Sequence, residues 1–392
     1  MRILFVSHSA GLYGAERSLL ELVKCLNNRG VRCLVTIPRP GGLLYALRQV
    51  DIPVTIVPYS WWVDRPRDFW RCPGRWLLSL KALPSLVKLV ARLRPDVVYT
   101  NTLAVWVGAV AAWIVRLPHI WHIHEFMKED HGMIFHLGET LSLRLVDRLS
   151  AKVIANSRAV ERKLKKYIDE RKIEVIYYSV EMPYQGQFDQ TLSWRSVNNW
   201  SFICVLVGRL DESKGQTDAI RAIGELVRDG FSVGLIIIGD GDKSYRHRIQ
   251  CLICKEKLES YVKLLGYASD PFNLVRSADV VLMCSRNEAF GRVTVEAMKL
   301  GKPVIGAASG GTVELIRDGV NGLLYSPGNY KDLAEKIRLL ALQPEMLSLL
   351  GKNAKEFADS RFTEEEYAGK IFEIVIEATG ITSRGRARHK PA

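Results

Sequence analysis

The chain has 392 residues, long for one core and comfortable for two. Hydrophobic residues at 48% and charged residues at 25% place it among ordinary globular proteins, and the lack of any run of about 20 uncharged apolar residues argues against a transmembrane helix. The net charge of +13 is uneven, because residues 1–185 carry 27 Lys and Arg against 16 Asp and Glu while residues 186–392 carry 28 against 26, so the excess that attracts anions belongs to the first half.

In chain order, Ile3 to Ser7 reads as an apolar strand, and the opening MRILFVSHS lacks the cleavage site of a signal peptide. Ala15 to Asn28 repeats apolar residues at helical spacing. Arg32 to Ile37 and Val54 to Val57 read as strands, Pro84 to Leu93 as a helix and Asp96 to Thr100 as a strand. Leu103 to Val115 reads as a buried helix, His119 to His124 as a strand, Glu139 to Leu149 as a helix and Val153 to Asn156 as a strand. Residues 183–200 break the rhythm with polar and turn residues and read as a linker.

The rhythm then restarts. Phe202 to Gly208, Ser232 to Gly239, Val262 to Leu265, Asp279 to Met283 and Pro303 to Gly306 read as strands. Between and after them, Gln216 to Asp229, Tyr245 to Leu258, Val293 to Leu300 and Lys331 to Leu342 read as helices. Strand-then-helix repetition implies parallel sheets covered on both faces. The expected fold class is α/β, with two Rossmann-like parallel-sheet domains facing a cleft and ligands beyond the carboxyl ends of the strands. The expected domains are residues 1–185 and 186–362, then a helix at 363–378 crossing back to the first domain, then a basic, disordered tail at 379–392.

Seven cysteines at scattered spacing do not form a disulfide framework, and Cys251 and Cys254 read as two positions of one helix. The cytoplasm is the expected compartment. Asp240-Gly241-Asp242 spells a D-x-D, but it follows a strand and reads as a turn, so neither a metal nor a cofactor is expected.

Two strand-end motifs carry the chemistry. Gly208 to Gly215 (GRLDESKG) sets Arg209 and Lys214 on one glycine-flanked loop, which suits a diphosphate. Arg286 to Ala297 (RNEAFGRVTVEA) places Glu288 in a loop after a strand and Glu296 two turns into the following helix. Between them, the loop Ala289 to Arg292 presents backbone N–H groups at a helix N-terminus, a natural phosphate site. A carboxylate within an otherwise apolar helix needs hydrogen-bond donors, and vicinal sugar hydroxyls are such donors.

These motifs resemble the family 4 retaining glycosyltransferases of the GT-B fold (glycosyl transferases group 1), most densely from Val207 to Leu324. The resemblance implies that Glu288 lies by the transferred sugar, Glu296 by the nucleotide ribose, Arg209 and Lys214 by the diphosphate, and Phe290, Gly291 and Arg292 over the phosphates. Gly310, Gly311, Thr312 and Glu314, then Gly319, Asn321 and Gly322, match the segment that follows. Gly11 to Glu16 (GLYGAE) resembles the family's first glycine loop, with Gly14 approaching phosphate or acceptor and Tyr13 standing where the family often has a second glycine. Ile123-His124-Glu125 resembles its strand-end His-Asp pair, which makes His124 the positioning partner of Glu288. His122, two residues away on the same strand, points the same way. The nucleotide base is expected near Gly266 and Tyr267.

The implied activity is transfer of a sugar from an α-linked UDP- or GDP-sugar to an acceptor hydroxyl with retention and without a metal, in cell-surface polysaccharide or glycolipid synthesis. An epimerase of the same fold and a non-catalytic sugar-nucleotide-binding subunit are the alternatives. The acceptor is expected to be a sugar or lipid-linked glycan. Tyr59 to Trp76 (YSWWVDRPRDFWRCPGRW) interleaves tryptophans with arginines. Either Trp61, Trp62, Arg65 and Arg67 face the acceptor or an anionic membrane at the inner face of the cell membrane, or the tryptophans fold back onto the core. No nucleic-acid motif accompanies them.

Overall fold

The computed structural model describes residues 1–182, 198–268 and 270–380. Residues 183–197 of the expected linker and 381–392 of the expected tail lie outside the described residues. The chain divides into two compact units, residues 1–181 with 363–392, and residues 182–362.

Unit 1 contains β1 (Arg2–Ser7), α1 (Gly14–Asn28), β2 (Arg32–Ile37), α2 (Gly42–Gln49), β3 (Val54–Ile56), β4 (Val63–Asp64), α3 (Cys72–Leu93), β5 (Val97–Asn101) and α4 (Val107–Val115). It continues with β6 (His119–Ile123), α5 (Lys128–His131), β7 (Ile134–Phe135), α6 (Glu139–Leu149), β8 (Lys152–Ala155), α7 (Arg158–Leu164) and β9 (Ile173–Val175). Seven parallel strands pair in the order β3-β2-β1-β5-β6-β8-β9, and β4 and β7 form a separate antiparallel pair. The central strands are buried along their length, as strands covered by helices on both faces must be.

Unit 2 contains β10 (Phe202–Val207), α8 (Gln216–Arg228), β11 (Val233–Ile238), α9 (Lys243–Lys255), β12 (Val262–Gly266), α10 (Phe272–Ser277) and β13 (Val280–Met283). Then come α11 (Arg292–Lys299), β14 (Val304–Ala307), α12 (Thr312–Leu315), β15 (Leu323–Tyr325), α13 (Tyr330–Leu342) and α14 (Pro344–Arg361). Its six parallel strands run β12-β11-β10-β13-β14-β15. The Val- and Ile-rich β11 is buried at all six positions, and α8 packs Ala219, Ile220, Ile223 and Leu226 into the same core.

The last helix, α15 (Glu364–Thr379), belongs to unit 1. The Arg29 guanidinium of α1 donates to Glu365 O at 3.0 Å, Lys152 of β8 pairs with Glu377 at 2.6 Å, and Tyr367 is buried near the rings of His122 and Tyr178.

Two expectations need correction. The helix expected from Pro84 starts at Cys72, with Pro73 in its first turn and Pro84 on an exposed position of its interior. Proline favours a first turn, but here tertiary packing of Ser79, Ala82, Leu86 and Val90 carries the helix through a second one. The segment from Tyr59 to Trp76 is not one surface loop. Trp62 is only 2% exposed, stacks on Trp121 and donates its indole N–H to Leu103 O, so it faces neither acceptor nor lipid. Its neighbour Trp61 instead donates its indole N–H to His8 O at 2.7 Å. Arg65 is half-buried, and Arg67 is exposed with Nε 3.7 Å from Asp68.

Candidate functional site

In unit 2 three strand-end loops meet. The loop after β10 carries Arg209 and Lys214, and the loop after β13 carries Glu288. They are joined by a backbone bond from Arg286 N to Ser213 O at 3.0 Å. Gly215 makes this approach possible: its φ is +66° and an added Cβ would lie 2.2 Å from Cys284 O. The result is a direct ion pair, Lys214 Nζ donating to Glu288 Oε2 at 2.7 Å. Gln216 fixes the first loop by donating to Arg209 O at 2.8 Å while its own Oε1 accepts from Tyr245 OH at 3.1 Å. The Arg209 guanidinium reaches Asp211 at 3.4 Å and remains well exposed.

The third loop, after β14, explains the paired glycines. Gly311 N donates to Glu288 O at 2.6 Å, and a Cβ on Gly310, whose φ is +55°, would lie 2.2 Å from that same oxygen. Gly310 and Gly311 therefore clamp the backbone that presents Glu288. Gly291, with φ +97°, begins α11, and Phe290 is buried against the Phe362 ring at 5.9 Å.

Glu296 is buried in α11 as its apolar surroundings predict, and Arg292 supplies a donor, Nε to Oε1 at 3.0 Å. Its burial is thus balanced within the helix and does not by itself require a sugar hydroxyl. Asp242 caps α9, accepting from Ser244 N at 2.9 Å and Tyr245 N at 3.2 Å, while Asp240 Oδ1 accepts from Gly241 N at 2.9 Å. Among the described residues no three His, Cys, Asp or Glu side chains gather as a metal site requires. Gly266 ends β12, and Tyr267 beyond it is exposed.

In unit 1, Gly14 opens α1 with nothing within 4 Å of an added Cβ, and Tyr13 before it is exposed. His122 and His124 lie on the same side of the β6 chain, ring centroids 4.1 Å apart. His122 is fully buried with Nδ1 2.6 Å from Tyr99 OH, and burial lowers its pKa to about 3. His124 sits at the strand end. Its Nε2 lies 2.6 Å from Asn101 Oδ1 and its Nδ1 contacts the Tyr178 hydroxyl. Burial first, then the neighbouring His122 and His8, hold its pKa well below the usual range, so its imidazole is neutral. With Nε2–H donating to Asn101, Nδ1 is the acceptor for Tyr178.

Sequence reasoning gave no role to Glu16, Glu125, Asn101 or Tyr178. Glu16 is buried and accepts from Ser9 Oγ at 2.5 Å, with His8 Nε2 at 3.2 Å. Glu125 accepts from Leu103 N at 2.7 Å and His124 N at 3.1 Å. Burial raises its pKa to about 8, with Asp130 and Glu16 pushing the same way and the two N–H donors opposing. The available signal was position, since Glu125 and the His8–Ser9 pair directly follow strands.

Residues 13–182 match the family model described as Glycosyltransferase Family 4, and residues 193–357 match Glycosyl transferases group 1. An uncharacterized glycosyltransferase of Methanocaldococcus jannaschii is 33% identical over 279 residues, 68% of this chain and 71% of the relative. The chain belongs to the family 4 glycosyltransferases. Anabaena HepE, solved with UDP-glucose, matches this family 4 chain at 29% identity and a TM-score of 0.80, covering 96% of it and 100% of HepE. The capsular polysaccharide biosynthesis glycosyltransferase CapM of Staphylococcus aureus is 24% identical over 303 residues, 73% of this chain and 78% of CapM. The two parallel-sheet units are those of the GT-B fold.

Proposed function

We propose that the protein transfers a hexosyl group from an α-linked UDP-sugar to an acceptor hydroxyl with retention of configuration, in the synthesis of a cell-surface polysaccharide or glycolipid. The observation that carries this reading is the Lys214–Glu288 pair at 2.7 Å, which joins the diphosphate loop to the sugar loop. Anabaena HepE, bound to UDP-glucose, supports the choice of donor, and CapM supports the polysaccharide role.

In this reading the chemical demand is charge on the leaving UDP. Arg209, Lys214 and the N–H groups at the start of α11 supply preorganised positive potential where that charge grows. The acceptor oxygen bonds to the anomeric carbon from the same face on which the bond to the diphosphate oxygen breaks. The acceptor proton passes to the departing phosphate. Glu288 holds the sugar and Glu296 the ribose. Neutral His124, both ring nitrogens engaged by Asn101 and Tyr178, organises a strand end of unit 1 without carrying a charge. Asp242 caps α9 and Asp240 accepts from Gly241 N, which supports reading the D-x-D as a turn and a transfer that proceeds without a metal. Unit 1 receives the acceptor. Exposed Trp70, Leu77 and Leu80, with Trp113 on the adjoining helix and the exposed Arg67 and Arg71 beside Trp70, fit a unit 1 that meets an anionic membrane carrying a lipid-linked glycan. No helix among the described residues is long and apolar enough to cross a membrane.

The test mixes UDP-glucose and other UDP-sugars with acceptor glycans, free or lipid-linked in anionic vesicles, and reads UDP release with and without EDTA. Release that needs an acceptor and survives EDTA is expected, as is co-sedimentation with anionic vesicles that weakens with salt. An epimerised sugar nucleotide as the product, or tight donor binding with no UDP release, would overturn the transferase reading.

A further inference from the structure

A pocket of about 540 Å³ lies wholly within unit 1, inside the size range of small-molecule sites. It sits at the carboxyl ends of three neighbouring strands, β3, β2 and β1, where ligands of parallel sheets collect. His8 and Ser9 follow β1, Arg39 follows β2, Ser60 and Trp61 follow β3, and Arg75 enters from α3.

The walls are held from behind. The Trp61 indole N–H donates to His8 O at 2.7 Å, and the Arg75 guanidinium lies 5.7 Å from the centre of the Trp61 ring. Arg75 is fixed by Asp64 at 2.8 Å, a buried carboxylate that also takes His136 Nε2 at 2.9 Å. Ser60 N donates to Ser79 Oγ at 3.0 Å, and that hydroxyl returns a bond to Ser60 O at 3.1 Å. Beneath the floor, the buried Tyr59 hydroxyl lies 2.6 Å from Ser7 O and 3.0 Å from Thr36 O, bracing β1 to β2.

The charge of the pocket is one-sided. Glu16, the carboxylate next to His8, is buried and turned into Ser9 and His8. Asp64 is neutralised by Arg75. Arg39 is exposed and pairs with no carboxylate among the described residues. What remains is an indole wall, two hydroxyls and the one uncompensated guanidinium, that of Arg39, since Arg75 is spent on Asp64. An aromatic wall with a few fixed polar groups suits a sugar ring, and guanidinium groups bind carboxylate and phosphate by paired N–H donors.

We propose that this pocket is the acceptor subsite and selects a sugar bearing an anionic group, carboxylate or phosphate, with Trp61 on its wall and Arg39 on the anion. The proposal rests on the transferase reading and names the acceptor class that reading leaves open. It also gives a purpose to the Trp61 and Arg39 side chains that the donor site does not use.

The experiment uses the full chain saturated with UDP, so that the donor site is occupied, and measures binding of glucuronic acid, glucose 6-phosphate and glucose by ligand-observed NMR at fixed ionic strength. At least one of the two anionic sugars should bind about tenfold or more tightly than glucose, and the better of the two identifies the anion. Arg39→Ala, at an exposed loop position, should weaken the anionic sugars by about tenfold, the scale of one charged hydrogen bond, and leave UDP binding unchanged. Lys214→Ala should show the reverse pattern. Equal binding of glucose and both anionic sugars, or anionic binding untouched by Arg39→Ala, would overturn the pocket assignment. Failure of UDP to bind would instead count against the donor reading.

Discussion

The donor loops of unit 2 and the strand-end residues of unit 1 are built by different means. In unit 2 backbone meets backbone: Gly215 passes over Cys284 O, and Gly310 lies against Glu288 O, so Lys214 and Glu288 are placed by close approach of loops. In unit 1 Gly41 also lies against Ala10 O, but the charged and polar groups are placed mainly by side chains. Asn101 and Tyr178 hold His124 from 23 and 54 residues away, Ser9 and His8 hold Glu16, and Asp64 holds Arg75. Close backbone approach admits only glycine at fixed spacing, whereas a side-chain network accepts many solutions. This is why one site leaves a readable motif and the other does not.

The comparison breaks most decisively at the charges. Lys214→Ala and Arg209→Ala should each lower turnover by about 10²–10³-fold, the usual cost of losing one donor to a developing charge. Circular dichroism should report an unchanged fold, because Arg209 is well exposed and Lys214 partly so. Steady-state UDP release decides the matter: near wild-type turnover in both variants would remove the diphosphate from this loop.

A smaller effect separates the glycines. Gly310→Ala forces a side chain into a left-handed conformation and against Glu288 O, which should cost roughly 1–3 kcal/mol and loosen the donor site. Gly14→Ala meets nothing within 4 Å and should stay within about 0.5 kcal/mol of wild type. Thermal unfolding of the two variants side by side is the measurement. If both lose stability equally, backbone approach is not what distinguishes the units.

The same contrast explains how much the sequence disclosed. Strand-helix alternation revealed both parallel sheets, because apolar runs such as Val233–Ile238 are buried along their whole length. Arg209, Lys214, Glu288 and Glu296 stood out because glycines and strand ends surround them. Short or weakly periodic elements such as α2, α7 and β15 escaped notice. So did α14, whose buried Leu350, Gly351, Ala354 and Ala358 form a stripe of mostly small residues that is hard to see as a hydrophobic repeat. The Trp61–Trp62 pair looked uniform because composition cannot say which face each side chain takes. Adjacent in the chain, Trp62 lies in the core and Trp61 on a pocket wall. The pocket itself joins residues from positions 8 to 75, and no local spacing encodes that meeting.

A last effect sharpens the comparison from the side of unit 1, whose buried polar network should make it sensitive to pH through Glu125. Burial lifts this carboxyl from an ordinary value of 4.5 to about 8. As pH rises past 4.5, the unfolded chain gives up this proton while the folded chain keeps it. The unfolded state then binds fewer protons, so stability falls with rising pH by up to about 1.4 kcal/mol per unit. The loss begins near the ordinary value and levels off above about 8. Glu125→Gln keeps an oxygen for the Leu103 N–H and cannot ionise, although it weakens the second bond, from His124 N. At pH 5 the variant should therefore be no more stable than wild type, and between pH 5 and pH 8 it should gain steadily on it. Unfolding midpoints of the two proteins across that range supply the test. Parallel curves would mean that Glu125 is ionised in the folded protein, held charged by the same two N–H donors, and that the network around His124 carries a negative charge at neutral pH.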